Sequence, residues 1–271
     1  MGLEVRRVAN AGIPALVTPG EVTDDDLAKV NDRFVHSIAI DGRSYRHPGA
    51  SLSWVAQLPR VHSVFILGAA KSPDLSTLPE SVSELFVMTS RAEPVDSRQL
   101  AHFDRIHSES ESFSRDGYVN LPRLSHLFVG RVRSQEISIG DGCDSLTYLK
   151  MRGTKQVARV VWSRAPRSLR TFMTHDLYWS DVRPLSGCAH LESLQVYNAA
   201  VRTGVGSLDL APLSACKELT LINAAENLPQ TGLSPLLKSN PTVVVQVAKD
   251  MHDGPTGDRR LHVAPARVKE G

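Results

Sequence analysis

Leu185-Ser-Gly-Cys188-Ala-His-Leu191-Glu-Ser-Leu194-Gln-Val196-Tyr-Asn198 spaces its apolar residues by threes and then by two. Steps of three suit a turn, and the closing alternation suits a strand in which Leu194 and Val196 share a face. The same h-x-x-h-x-h pattern, with h apolar, recurs along the chain. Its central residue falls at Ile38, Val64, Leu85, Ile106, Leu127, Leu149, Phe172, Leu194, Leu219 and Val243, at steps of 21 to 26 residues. One strand plus one return segment of that length cannot bury its apolar side until neighbours stack on it. A solenoid of parallel strands follows, with alternate side chains of each strand facing a common aliphatic core.

Other units repeat the arrangement: Leu121-Pro-Arg-Leu124-Ser-His-Leu127-Phe-Val129, Cys143-Asp-Ser-Leu146-Thr-Tyr-Leu149-Lys-Met151 and Leu213-Ser-Ala-Cys216-Lys-Glu-Leu219-Thr-Leu221-Ile-Asn223. In these residues the sequence resembles the leucine-rich repeat family, whose mark is L-x-x-L-x-L followed by Asn or Cys and a variable return. The resemblance implies an α/β horseshoe, with about ten parallel strands on a concave face and short helical or irregular returns. It also implies protein recognition in general, of which toxin neutralisation by an immunity protein and membership of a defence complex are specific forms. One position departs from the family. Where a buried Asn usually follows the strand, this chain has Ala69, Ser90, Val132, Thr154, Ala199 and Ala224, with Asn198 and Asn223 one residue early.

Between strands, Leu75 and Leu78, Val182 and Leu185, and Leu210 and Leu213 stand three apart, a spacing for short helical turns on the back of the core. The expected organisation is a cap over 1–33, the solenoid over 34–248 and a loosely ordered charged tail over 249–271. Thr23-Asp-Asp-Asp-Leu27-Ala-Lys-Val30 reads as a short capping helix, with a cap residue, an acidic first turn and apolar residues three apart.

Composition narrows the function. The 271 residues carry 31 Lys and Arg against 29 Asp and Glu, too balanced for broad attraction to nucleic acid or anionic membrane. No signal-like or membrane-spanning apolar run occurs, so a cytoplasmic protein with no membrane partner is expected. Cys143 and Cys188 stand where other units have Leu, and Cys216 falls on a first strand position; all three read as buried and structural. The histidine pairs His102 with His107 and His36 with His62 lack metal-motif spacing, Gly140-Asp-Gly142 lacks the rest of a phosphate cradle, and no nucleophile motif occurs. Neither an enzyme nor a cofactor is expected. Ser108-Glu-Ser-Glu-Ser-Phe-Ser114 reads as a flexible polar return able to accept phosphate.

The outward strand positions offer the candidate surface. They read Ser63, Phe65, Leu67; Glu84, Phe86, Met88; Arg105, His107, Glu109; His126, Phe128, Gly130; Tyr148, Lys150, Arg152; Thr171, Met173, His175; and Ser193, Gln195, Tyr197. Strands lie about 4.8 Å apart, so Phe65 and Phe86 should be neighbours, with Phe128 two strands further on. Aromatic and Met anchors beside Arg, Lys and Tyr have the composition of a protein interface. The candidate partner-binding set is Phe65, Leu67, Phe86, Met88, Arg105, His107, His126, Phe128, Tyr148, Lys150, Arg152, Met173 and Tyr197. A rival function uses Tyr148, Lys150 and Arg152 to hold nucleic acid by stacking and phosphate contacts.

Overall fold

The computed structural model describes residues 2–5, 15–18, 22–32, 35–41, 51–68, 73–89, 92–139, 142–157, 159–161, 164–178, 181–197, 207–223, 229–247, 252–255 and 257–263. Ala69, Ser90, Gly140, Asp141, Asn198, Ala199 and Ala224, with the last part of the expected tail, lie outside them. The chain packs as two compact units, Met1–Arg131 and Val132–Gly271.

The first unit contains β1 (Gly2–Val5), β2 (Ala15–Thr18), β3 (Ser37–Asp41), β4 (Ser63–Leu67), β5 (Glu84–Val87), β6 (Arg105–Ser108) and β7 (His126–Val132). β1 runs antiparallel to β2, and β2 to β7 pair in chain order, all parallel. Ile38, Val64, Leu85, Ile106 and Leu127 are register partners and all are buried, as the repeat requires. The three-residue step ahead of each strand is a closed turn: Val61 N donates to Leu58 O at 3.0 Å, and Leu124 N to Leu121 O at 3.1 Å. Helix α1 (Asp24–Asp32) starts at Thr23, whose Oγ1 accepts from Asp26 N while the Asp26 carboxylate accepts from Thr23 N, both at 3.2 Å. Leu27 and Val30 are the buried residues of its apolar side.

Single 3₁₀ turns at Ser53–Gln57, Leu75–Thr77 and Ser97–Leu100 form the returns. Side chains tie them to each other. Leu52 N donates to Thr77 Oγ1 at 2.7 Å, and Leu75 N to Gln99 Oε1 at 3.0 Å, each one turn of the solenoid away. These bonds satisfy backbone donors at the start of each return. Segment 108–118 differs from expectation. It is packed: Phe113 and Tyr118 are buried, Ser108 Oγ and Tyr118 OH both donate to Ser110 O at 2.8 and 3.1 Å, and Ser108, Ser110 and Ser114 are covered. Its two aromatic residues supply the apolar area that the serine-rich composition concealed. Burial drives the Tyr118 phenol far above its ordinary pKa.

The second unit contains β8 (Glu136–Ser138), β9 (Tyr148–Val157), β10 (Arg159–Val161), β11 (Thr171–Tyr178), β12 (Ser193–Tyr197), β13 (Leu208–Asp209), β14 (Leu221–Asn223), β15 (Gln230–Thr231), β16 (Val244–Val247) and β17 (Leu261–Val263). β9, β11, β12, β14, β16 and β17 pair in that order, all parallel. Two short parallel pairs, β8 with β10 and β13 with β15, lie outside that sheet. Returns are 3₁₀ turns at Arg183–Gly187 and Ala211–Ala215, with Pro184 and Pro212 in their first turns where no backbone donor is needed, and helix α2 (Leu233–Ser239).

Register corrects the last two repeats. Leu149, Phe172 and Leu194 are in line as expected, but the next partners are Ile222 and Val245, not Leu219 and Val243. Leu219 and Val243 are buried ahead of the strands; Leu219 N donates to Cys216 O just as Leu191 N donates to Cys188 O. Cys216 therefore matches Cys188 in the turn and holds no strand position. The triplet spacing Leu213, Cys216, Leu219, Ile222 fits the pattern in two frames, and only strand pairing selects one. All three cysteines are buried free thiols, with burial pushing Cys188 up to about 12 and Cys216 to about 11. Within the expected tail, β17 pairs along β16 and covers the edge that Val244–Val247 would otherwise expose.

Candidate functional site

Alternation along β3 to β7 sends Ile38, Ile40, Val64, Ile66, Leu85 and Val87 inward and their neighbours to the opposite face, where Ser37, Ala39 and Ser63 are covered and Phe65, Phe86, His107 and Phe128 are half-buried. The middle row of that face, in register, is Ala39, Phe65, Phe86, His107 and Phe128. Parallel strands place equivalent side chains one above another, so the rings form a continuous row. Phe65 and Phe86 stack with centroids 4.6 Å apart and planes at 9°; Phe86 and His107 are 6.0 Å apart, and His107 and Phe128 4.1 Å. Met88, held by its N–H on Ile66 O at 2.9 Å, is 48% exposed beside them. Phe65, Phe86 and Met88, with His36, His62 and Glu84, line a depression of about 450 Å³.

Charges border this row in pairs. Arg105 reaches Glu84 at 3.4 Å, and His107 Nε2 lies 3.5 Å from Glu109 Oε1. Gly130 makes room for that carboxylate: a Cβ there would stand 2.5 Å from Glu109 Oε2. His36 and His62 each direct Nδ1 at Arg60 O, at 3.2 and 3.4 Å. Partial burial, aided by the Arg105 charge and opposed by Glu84, lowers the His126 pKa and favours the neutral ring.

The solvent face of the second unit is built from the same alternation and carries different chemistry. Its middle row, in register, is Lys150, Met173, Gln195, Asn223 and Gln246. Above it stand Arg152, His175 and Tyr197, with the His175 and Tyr197 rings stacked at 4.5 Å. Tyr197 OH donates to Gln195 Oε1 at 3.1 Å and accepts from Asn223 Nδ2 at 3.2 Å, while Gln195 Nε2 donates to Ser193 Oγ at 3.3 Å. Tyr148 OH lies 4.0 Å from Met173 Sδ, and burial raises the Tyr148 pKa. Burial and the Lys150 and Arg152 charges lower the His175 pKa against the pull of Asp176, which sits at the β11 bulge with φ 53°.

Twelve of the thirteen candidate residues thus lie on solvent faces of strands and Met88 directly follows β5, all of them half-buried or exposed. Phe65, Phe86, His107 and Phe128 come together as one row, with His107 bridging the two-strand gap to Phe128. Lys150 and Arg152 project to the same side of β9, as their spacing required. Asn223, expected one residue before a buried ladder position, faces solvent between Gln195 and Gln246; the register slip in the last repeats hid it and Gln246. Among the described residues no group of three His, Cys, Asp or Glu side chains is arranged to hold a metal, and no helix is long and apolar enough to cross a membrane. A larger depression, about 690 Å³, lies on the return side of the first unit. Its lining residues Asp96 and Arg98 satisfy each other at 2.6 Å, and the Arg98 guanidinium holds the Asp96 carboxyl down at about 2.

No family model matches this sequence, and neither does any curated protein. Among solved structures, the chain is similar to internalin C2 of Listeria monocytogenes at 14% identity, with 90% of this chain and 84% of that one covered and a TM-score of 0.38. It is also similar to internalin F of the same organism at 13% identity, covering 85% and 78%, with a TM-score of 0.39. The leucine-rich-repeat-like fold rests on the strand register, the buried central residues and the 3₁₀ returns of the chain itself.

Proposed function

We propose that the protein is a noncatalytic scaffold that binds a protein partner on the solvent faces of its sheets, anchored by the aromatic row of the first unit. One observation carries this: Phe65, Phe86, His107 and Phe128 form a continuous, partly exposed row of rings on strands whose inward positions are already filled by Val64, Leu85, Ile106 and Leu127. The core has no use for these rings. Exposed apolar surface of this kind is stabilised by a partner that removes it from water, and aromatic anchors dominate such interfaces. Arg105, Glu84 and Glu109 at the border supply specificity more than affinity. A role as an immunity protein or a defence-complex subunit is a specific form of this function, decided by the partner's identity.

Site-specific photo-crosslinking tests it. A benzophenone side chain at Phe86 should crosslink one protein from the native host, while the same group at Arg98 on the return side should not. Capture from Arg98 alone would move the binding surface to the returns.

A further inference from the structure

We propose that Cys188 and Cys216 are a disulfide site through which oxidation joins consecutive turns of the second unit, whatever the solvent faces bind. Strand register brings the two residues together. Ser193 pairs with Leu221, and each cysteine stands five residues ahead of its member of that pair, at the end of a 3₁₀ return. The two returns repeat one backbone. Val182 and Leu210 begin them at φ −94°, ψ −2° and φ −90°, ψ −5°, and Cys188 and Cys216 close them at φ −84°, ψ 88° and φ −83°, ψ 89°. Equal backbones on paired turns set the two Cα–Cβ bonds side by side, about 4.8 Å apart, within the span of about 4.4–6.8 Å that disulfides bridge.

The side chains already meet at one atom. Cys188 N donates to Leu185 O at 2.9 Å, and Cys216 Sγ donates to the same oxygen at 3.4 Å, so the Cys216 thiol reaches across to the turn that carries Cys188. Cys143 lacks such a neighbour in the following turn, where the equivalent residue is Pro166. Burial keeps both thiols protonated, Cys188 at about 12 and Cys216 at about 11, the latter held down by Lys217. This slows the exchange and leaves its end point to geometry. Opening of one short return admits a small disulfide such as oxidised glutathione. The Cys216 thiolate attacks it and expels one glutathione thiolate. The Cys188 thiolate then attacks the Cys216 sulfur of the mixed disulfide and expels the second. Two protein thiols are oxidised, one glutathione disulfide is reduced to two thiols, and the protons lost by the cysteines are taken up by those leaving groups. The new bond ties β12 to β14, the strands whose solvent side carries Gln195, Tyr197 and Asn223.

The test incubates the folded, reduced full chain with oxidised glutathione at pH 9, blocks remaining thiols with N-ethylmaleimide and maps non-reduced tryptic peptides by mass spectrometry. Cleavage after Lys150, Arg170, Arg202 and Lys217 separates the three cysteines. The expected product is one linked pair of peptides, Cys188 with Cys216, lighter by the two thiol hydrogens, with Cys143 blocked by the maleimide. The bond closes a loop of about 28 residues, so the oxidised protein should melt at least about 5 °C above the reduced one. Dithiothreitol should reverse that rise, and Cys188→Ala should not show it; Cys216→Ala serves if the first variant fails to fold. Absence of the linked pair, a bond that includes Cys143, or a Cys188–Cys216 bond that lowers the melting temperature overturns the proposal.

Discussion

In the first unit the middle row of the solvent face reads Phe65, Phe86, His107, Phe128, beside a covered Ala39; in the second it reads Lys150, Met173, Gln195, Asn223, Gln246. One residue away along each strand, the inward rows scarcely differ: Ile38, Val64, Leu85, Ile106, Leu127 against Leu149, Phe172, Leu194, Ile222, Val245, every one buried. Stacking constrains the inward row in both units, because a solenoid turn has only its neighbours to supply a core. It leaves the solvent row unconstrained. The two units therefore share one kind of inward row and differ in the chemistry of the row beside it, aromatic in the first and cationic and amide in the second.

The largest effect should come from confirming where the inward row runs in the second unit. Ile222→Ala should cost about 2–5 kcal/mol in urea unfolding, while Leu221→Ala, on the solvent side of the same strand, should cost less than about 1 kcal/mol. A reversed order would restore the slipped register and move Asn223 and Gln246 off the solvent row. In the first unit, Phe86→Ala removes a stacked, half-buried ring and should cost about 1–2 kcal/mol by the same measurement. A loss as large as that of Ile222→Ala would make the aromatic row part of the core. Tyr197→Phe should cost about 1 kcal/mol or less, since it deletes one hydroxyl that joins Gln195 to Asn223 while keeping the ring on His175.

The smallest effect is a pH slope. His175 has a lowered pKa in the folded protein, so between that value and the ordinary histidine value the unfolded chain binds more protons. Stability should fall as pH drops through the ordinary histidine range, and level off below the folded value. His102 and His126 are lowered too and contribute with the same sign. Comparing unfolding free energies at pH 7.5 and 5, His175→Gln should show a shallower loss than the native protein. An unchanged slope would mean that burial and the neighbouring Lys150 charge do not hold the His175 pKa down.

Much of this fold is written in the spacing of apolar residues. Eight of the ten central positions, from Ile38 to Leu194, are inward strand residues because h-x-x-h-x-h matches a closed turn followed by alternation. Leu219 and Val243 misled because apolar residues there recur every two or three positions, and a pattern alone does not choose between frames. A second repeat was present and easily missed. Asp74, Asp96, Asp181 and Asp209 each accept from the backbone N–H two residues on, starting a 3₁₀ return in place of a longer helix. The aromatic row was legible once the period was known, since parallel register puts equivalent positions side by side. The amide row was not, because it depends on Ile222 and Val245 setting the frame. Packing of 108–118 was equally hidden, as Phe113 and Tyr118 fall outside any periodic pattern.

The most direct test of a scaffold that binds protein through its solvent face is calorimetric titration of the purified, crosslink-identified partner with the native protein and with Phe86→Asp, with thermal melts on the same samples. A binding role predicts an affinity at least about a hundredfold weaker with the melting temperature lowered by no more than a few degrees. Unchanged affinity, or a fall in melting temperature of about 10 °C or more from this one substitution, would contradict it.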